Sequence, residues 1–298
     1  MKVVLAGGSG FVGSALTASM LKDGWDVVVL SRKARSGSGV RAVEWDGREQ
    51  GAWVTEVAGC DAVVNLAGSP IFTRWGSHTL ETIVSSRVDS TRALGEAIAS
   101  SAAPPPVWVN ASAVGFYGHT GSEVVTEASP AGEGLLADTC RMWEEACLAT
   151  DTPATRTVRA RIGVVLGRNG GAFPMQRRLA NAFLGSHFGS GTQGFSWVHV
   201  RDAVAMLRWA IDHDVQGPMN VVSPDPVSSK KFMTSLRTKL GRPWAPPVPA
   251  FAVHLAHRLG APPPEVLLDG QYVLPKVAMD GDFHFRYATL GDALANLV

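Results

Sequence analysis

The stretch Gly7-Gly8-Ser9-Gly10-Phe11-Val12-Gly13 follows directly on the apolar run Val3 to Ala6 and opens the helically spaced segment Phe11 to Lys22. Few folds place a G-x-x-G-x-x-G spacing between a strand and a helix. Gly7 permits the tight turn, Gly10 lets backbone come close to a pyrophosphate, and Gly13 lets helix and strand pack closely, while the helix N-terminus offers its N–H groups to the anion. The pattern predicts a dinucleotide cradle made by Gly7, Ser9, Gly10, Phe11, Val12 and Gly13.

Further runs, Val27 to Leu30, Ala62 to Leu66, Val107 to Ala111 and Thr157 to Ile162, are near-continuously apolar, as strands buried on both faces are. Between them, about Thr79 to Ala99 and about Leu135 to Ala149 carry helical spacing. Strand and helix in alternation predict an α/β fold, a Rossmann-type doubly wound parallel sheet with a smaller C-terminal substrate-side region. After residue 165 the rhythm changes to Gly-rich loops (Gly167 to Gly171, Gly185 to Gly194), helices near Arg201 to His213 and Ser228 to Leu240, and the Pro-rich Pro243 to Pro249. The expected division is therefore a dinucleotide-binding domain over residues 1–165, with segments of about 195–225 returning to it, and a substrate-side and C-terminal region over 166–298. Arg35-Ser36-Gly37-Ser38-Gly39 reads as a loop.

The 298 residues are 46% hydrophobic and 18% charged, which excludes a disordered or fibrous chain. With Lys plus Arg at 27 and Asp plus Glu at 26, the net charge of +1 draws in neither nucleic acid nor anionic lipid, so any phosphate recognition must be local. The 3 cysteines (Cys60, Cys140, Cys147) form no C-x-x-C and no paired framework, and no metal site is expected. No apolar stretch is long enough for a spanning helix and the first residues do not read as a signal peptide, so a soluble cytoplasmic protein is expected.

Where the second strand ends, a carboxylate would meet the 2'-hydroxyl of an adenosine ribose. Here Val29-Leu30 runs into Ser31-Arg32-Lys33. A hydroxyl and two cations suit a 2'-phosphate, with Arg32 able to bind it through two parallel hydrogen bonds, so NADP (as NADPH) is favoured over NAD, with Ser31 and Arg32 as its phosphate residues. The alternative is that Arg32 and Lys33 merely solubilise a loop.

These motifs, with Asp61 to Gly68, Ser86-Arg87-Val88 and Thr91, Ser112 to Gly118, Trp143-Glu144, Gly163 to Gly167, Ser196 to Asp202, Gly217 to Val221 and Gln271 to Lys276, resemble the extended short-chain dehydrogenase/reductases of the NAD-dependent epimerase/dehydratase family. The narrower likeness is to the cell-division-inhibitor-like epimerase family proteins, with their C-terminal domain, over nearly the whole chain. The resemblance implies that Leu66, Ala67 and Gly68 pass under the cofactor, that Thr82 and Arg87 face it from the following helix, that Ala111, a further cofactor residue, ends the fifth strand with Ser112, and that the Gly163 to Val165 turn sits near the nicotinamide. Arg87 stands where most extended members carry Asn, and could bind phosphate or substrate.

The catalytic pattern breaks. Short-chain dehydrogenases usually carry Y-x-x-x-K on the helix after the fifth strand, the Lys lowering the Tyr pKa for proton exchange. Of the 3 tyrosines, Tyr117 and Tyr287 have glycine four residues on, and Tyr272 has Lys276 but with Pro275 between, far beyond the sheet. Tyr117, without a neighbouring ammonium, should stay protonated at neutral pH, better at giving a proton than taking one, which favours carbonyl reduction. Ser112 ends the fifth strand near where the family places a hydroxyl, although alignment on Tyr117-Gly118 puts Ala113 at that place. Glu144 or Glu145 offers an alternative acid or base, against the reading of a solvated or capping carboxylate. Tyr117, Ser112 and Glu144 are the catalytic candidates. His199 reads as structural, ordering Asp202. Trp75, Trp143 and Trp197 fall beside motifs and either wall a pocket or pack the core. The sequon Asn110-Ala111-Ser112 ends a buried strand and carries no meaning.

The expectation is an NADP(H)-dependent oxidoreductase or epimerase acting on a carbonyl or hydroxyl of a small, sugar-nucleotide-like substrate. The alternative is an NADP(H)-binding regulatory or interaction protein with little catalysis. The expected partner is a small-molecule substrate, not nucleic acid or membrane, with a homodimer left open.

Overall fold

The computed structural model describes residues 1–33 and 39–298; Arg35 to Ser38, most of the patch expected as a loop, lies outside the described residues. Val3, Val4, Leu5 and Ala6 are each fully buried, which is possible only with cover on both faces. Their side chains divide by parity. Val3 and Leu5 join one apolar cluster and Val4 and Ala6 the other, and Val27/Val29 against Val28/Leu30, Ala62/Val64 against Val63 and Val107/Val109 against Trp108 split the same way.

The strands are β1 (Lys2–Ala6), β2 (Asp26–Ser31), β3 (Arg41–Glu44), β4 (Ala62–Asn65), β5 (Val107–Ala113), β6 (Arg156–Ile162) and β7 (Gly217–Val221). They form a 7-stranded parallel sheet in the order β7-β6-β5-β4-β1-β2-β3. Chain direction across the sheet reverses between β1 and β4, and the crevice at such a switch point is where doubly wound folds bind ligands. Helices α1 (Phe11–Lys22) and α5 (Val200–Asp212) cover one face; α2 (Thr79–Ala99) and α3 (Leu135–Leu148) cover the other.

The remaining chain, with α4 (Phe173–Asn181), α6 (Ser229–Lys239) and α7 (Ala250–Arg258) between these elements and the C-terminus, builds its own core. Phe173, Trp197, Phe232, Leu236, Leu290 and Leu294 are among its buried members. It is tied back by polar groups: Glu127 accepts the backbone N–H groups of Asn220 (2.9 Å), Lys276 (3.0 Å) and Val277 (3.3 Å). Asp202 accepts from Arg286 (3.1 Å) and Tyr287 (2.8 Å). No helix among the described residues is long and apolar enough to cross a membrane.

Candidate active site

The glycine loop is shaped by what surrounds it. Gly7 has φ of +76°, and a Cβ there would stand 2.6 Å from the Leu66 carbonyl carbon at the end of β4. A Cβ on Gly13 would stand 2.2 Å from the Gly7 carbonyl oxygen. Only hydrogen fits at either place. α1 starts at Gly10 with no side-chain cap and no acidic residue in its first turn, so the N–H groups of its opening residues are left for an anion. Phe11 contributes backbone here. Its ring is boxed in by a hairpin, where a Cβ on Gly170 would stand 2.2 Å from Phe11 Cδ2, which explains the Gly167 to Gly171 run. Ser9, Gly10 and Phe11 also border an open groove of about 770 Å3 with Arg168 and Arg201 across it.

At the end of β2, Ser31 Oγ accepts from the Lys33 N–H (3.4 Å), fixing the corner, and Arg32 is exposed beyond it. Arg32 enters no ion pair among the described residues. β4 ends in buried Asn65, whose Oδ1 accepts from the Ala67 N–H (3.0 Å) and whose Nδ2 donates to Asn110 Oδ1 (2.8 Å). That bends Leu66, Ala67 and Gly68 beside the glycine loop, and it places the Asn110 amide in the core. Ala111 is buried in β5, and Val165 lies half-buried past the end of β6. The glycine loop, the free N–H groups opening α1 and the segment after β4 stand together at the switch point between β1 and β4, where backbone donors suit an anion.

Tyr117, Ser112 and Glu144 are brought together, but inside the protein. Their exposures are 4%, 2% and 5%. Glu144 Oε1 accepts from Ser112 Oγ (2.8 Å) and Arg161 Nε (2.8 Å), and Oε2 accepts from Arg161 Nη2 (2.9 Å) and Arg159 Nε (3.2 Å). Arg161 Nη1 donates to the Tyr117 hydroxyl (2.9 Å), which gives its own hydrogen to Asn220 Oδ1 (2.7 Å). The guanidinium also lies 3.5 Å from the Phe116 ring centroid. The expectation concerned only an ammonium beside this phenol; the neighbouring cation is a guanidinium, that of Arg161, reached from β6. Burial nevertheless pushes the Tyr117 phenol above its ordinary value, against the pull of Arg161. Ser112 and Glu144 bond each other and Arg159 and Arg161, Tyr117 bonds Arg161 and Asn220, and the nearly enclosed network ties the ends of β5, β6 and β7 together.

Arg161 is the residue that reading the chain missed. Its signal was present in Arg-Thr-Val-Arg-Ala-Arg-Ile, where Arg159 and Arg161 recur with period two in a strand bounded by others on both sides. Such positions need a carboxylate partner.

On the open side, Arg87 of α2 is half-buried, and its Nη1 donates to the carbonyls of Ser69 (3.1 Å) and Ile83 (2.9 Å). The guanidinium carbon lies 5.1 Å from the Trp143 ring centroid, and Trp143 is fixed by its Nε1 donating to Thr91 Oγ1 (3.0 Å). Thr82 is exposed and donates to the His78 carbonyl. Thr82, Trp75, Arg74 and Ser69 line a second groove of about 560 Å3. Trp197 is fully buried and packs the C-terminal core. Tyr272 and Lys276 point apart, to the Thr192 carbonyl and to Asp280. His199 does not bond Asp202. Its Nδ1 accepts from the Arg201 N–H (3.1 Å), capping α5, and its Nε2 faces Asn296 Oδ1 (3.2 Å).

The sheet order, the switch-point glycine loop and the open start of α1 define a Rossmann-type α/β protein. The chain belongs to the NAD dependent epimerase/dehydratase family, whose model matches residues 3–222, and residues 248–297 match a domain of unknown function, DUF1731. The Epimerase family protein YfhF of Bacillus subtilis is 36% identical over 100% of this chain and 98% of its own length. Human Epimerase family protein SDR39U1 is 34% identical over 100% of both chains. A crystal structure of that human protein (isoform 2) with NADPH superposes with a TM-score of 0.89 at 32% identity, covering 100% of this chain and 99% of its own. A nucleoside-diphosphate sugar epimerase from Corynebacterium glutamicum superposes with a TM-score of 0.79 at 34% identity, over 99% of this chain and 57% of that one.

Proposed function

We propose that this chain binds NADPH and acts as an oxidoreductase or epimerase of the extended short-chain dehydrogenase kind on the carbonyl or hydroxyl of a small, sugar-nucleotide-like substrate. The observation that carries the reading is the pairing of an uncapped α1 start with Arg32, in place of a carboxylate, just past β2. The human relative's NADPH complex supports it. Bound NADPH supplies a hydride. The chain's part is to hold it: backbone N–H groups of Phe11, Val12 and Gly13 take the diphosphate, Ser31 and Arg32 take the 2'-phosphate, and Leu66 to Gly68, Ala111 and Val165 wall the crevice. Tyr117, Ser112 and Glu144 act from below by fixing the strand ends, with Tyr117 keeping its proton at neutral pH.

Arg32→Ala is expected to weaken NADPH by about 1.5–3 kcal/mol while leaving NADH nearly unchanged. Equal weakening of both refutes the phosphate role.

The burial of Tyr117, Ser112 and Glu144 favours a second reading, in which the dinucleotide is sensed rather than consumed. Following NADPH absorbance over a panel of carbonyl compounds separates the two: tight binding without turnover across the panel selects the sensor.

A further inference from the structure

We propose that Arg87 is the anchor for a carboxylate or phosphate group of the substrate, taken at the Nε–Nη2 edge of its guanidinium. The side chain is a cation removed in part from water, yet it enters no ion pair among the described residues. Burial lowers its pKa from the ordinary guanidinium value, and a guanidinium keeps its charge in proteins. The nearby Cys140 thiol supplies no counter-charge, since burial pushes it up to about 12. Half-buried charge without a partner is costly, so a protein that keeps one gains when an anion arrives.

The geometry specifies how the anion is held. Nη1 is used by the Ser69 and Ile83 carbonyls, and no described acceptor takes Nε or Nη2. Nε–H and Nη2–H point from one edge of the guanidinium plane, the fork that matches the two oxygens of a carboxylate or phosphate. The plane is set in advance by three contacts. Trp143 lies at 5.1 Å on one side. Gly68 also lies close, where a Cβ would approach Cζ to 3.3 Å. The two carbonyls brace the far edge. A donor fork already oriented loses little freedom on binding.

Ser69 and Ile83, which hold Arg87, line the cavity of about 560 Å3, with Thr82 beside them and Arg74 and Trp75 farther along. Its outer wall is fastened to the C-terminal region, where the Trp75 N–H donates to the Gly260 carbonyl (2.9 Å). The DUF1731 segment thus braces one wall of the groove beside the residues that hold Arg87.

The proposal rests on the NADPH reading above, and the same anion chemistry could come from a phosphate of the dinucleotide itself. The test separates these sources. Wild type, Arg87→Gln and Arg87→Lys are first titrated with NADPH, then, saturated with it, with 2-oxo acids and sugar phosphates paired with their uncharged methyl esters and parent sugars. Thermal melting confirms that each variant is folded. Wild type is expected to bind the charged members about tenfold or more tighter than their neutral pairs. Arg87→Gln should lose that preference while its NADPH affinity changes by less than about twofold, and Arg87→Lys should keep part of it. Retained preference in Arg87→Gln, no preference in wild type, or a matched loss of NADPH affinity overturns the proposal, the last assigning Arg87 to the dinucleotide. Failure of wild type to bind NADPH at all instead overturns the cofactor reading on which it stands.

Discussion

Glu144 receives four hydrogen bonds from Ser112, Arg159 and Arg161 and is almost fully enclosed, so its charge is tolerated only while those donors are present. Arg161→Met leaves that carboxylate short of its main partner and should cost about 3–5 kcal/mol by urea unfolding. The double variant Arg161→Met with Glu144→Gln should cost less than the sum of the two single changes, and strict additivity would refute the pairing. His199 makes a second residue-level prediction. Burial holds its imidazole at about 4, against an ordinary value of 6.5. The unfolded chain therefore takes up a proton that the folded one refuses, and stability present above 6.5 is lost as pH falls toward 4. The loss amounts to about 3 kcal/mol. His199→Asn, which can still cap α5, should flatten that acid limb of the melting curve. The steric demands at Gly7 and Gly13 were legible in the chain because backbone close approach is a local fact. The Glu144–Arg161–Tyr117–Asn220 connection was not, since its members stand on α3, β6, the segment after β5, and β7, and only the folded sheet makes them neighbours.

At the scale of elements, α1 is seated by contacts that no side chain can replace. Gly13→Ala puts a methyl where the Gly7 carbonyl oxygen stands 2.2 Å away, so helix and loop must separate. The expected cost is about 2 kcal/mol or more in stability. Loss of dinucleotide binding, read by nicotinamide fluorescence, should accompany it, and an unaffected Gly13→Ala protein would contradict the cradle. The five buried strands were legible from their apolar runs, and the structure extends most of them by a residue or two. β3 and β7 were not. Arg41-Ala42-Val43-Glu44 is short and half-exposed at one sheet edge, so it lacks an apolar run. Gly217-Pro218-Met219-Asn220-Val221 contains a proline that argues against a central strand, and the fold resolves this by making β7 the opposite edge.

For the whole molecule, the C-terminal region is held to the sheet through a few carboxylates rather than by its apolar core alone. Glu127 is 9% exposed and takes three backbone N–H groups, one on β7 and two at residues 276 and 277. Glu127→Ala should therefore destabilise the chain by about 2–3 kcal/mol. Hydrogen exchange should speed up first in residues 272–281, whereas uniform acceleration would contradict a local latch.

The central claim is that the switch-point crevice takes a dinucleotide bearing a 2'-phosphate, and calorimetric titration of the purified wild-type chain with NADPH and with NADH tests it most directly. The account predicts uptake of both coenzymes, with NADPH bound about 10- to 100-fold more tightly. Equal affinities, or heat from neither, would contradict it.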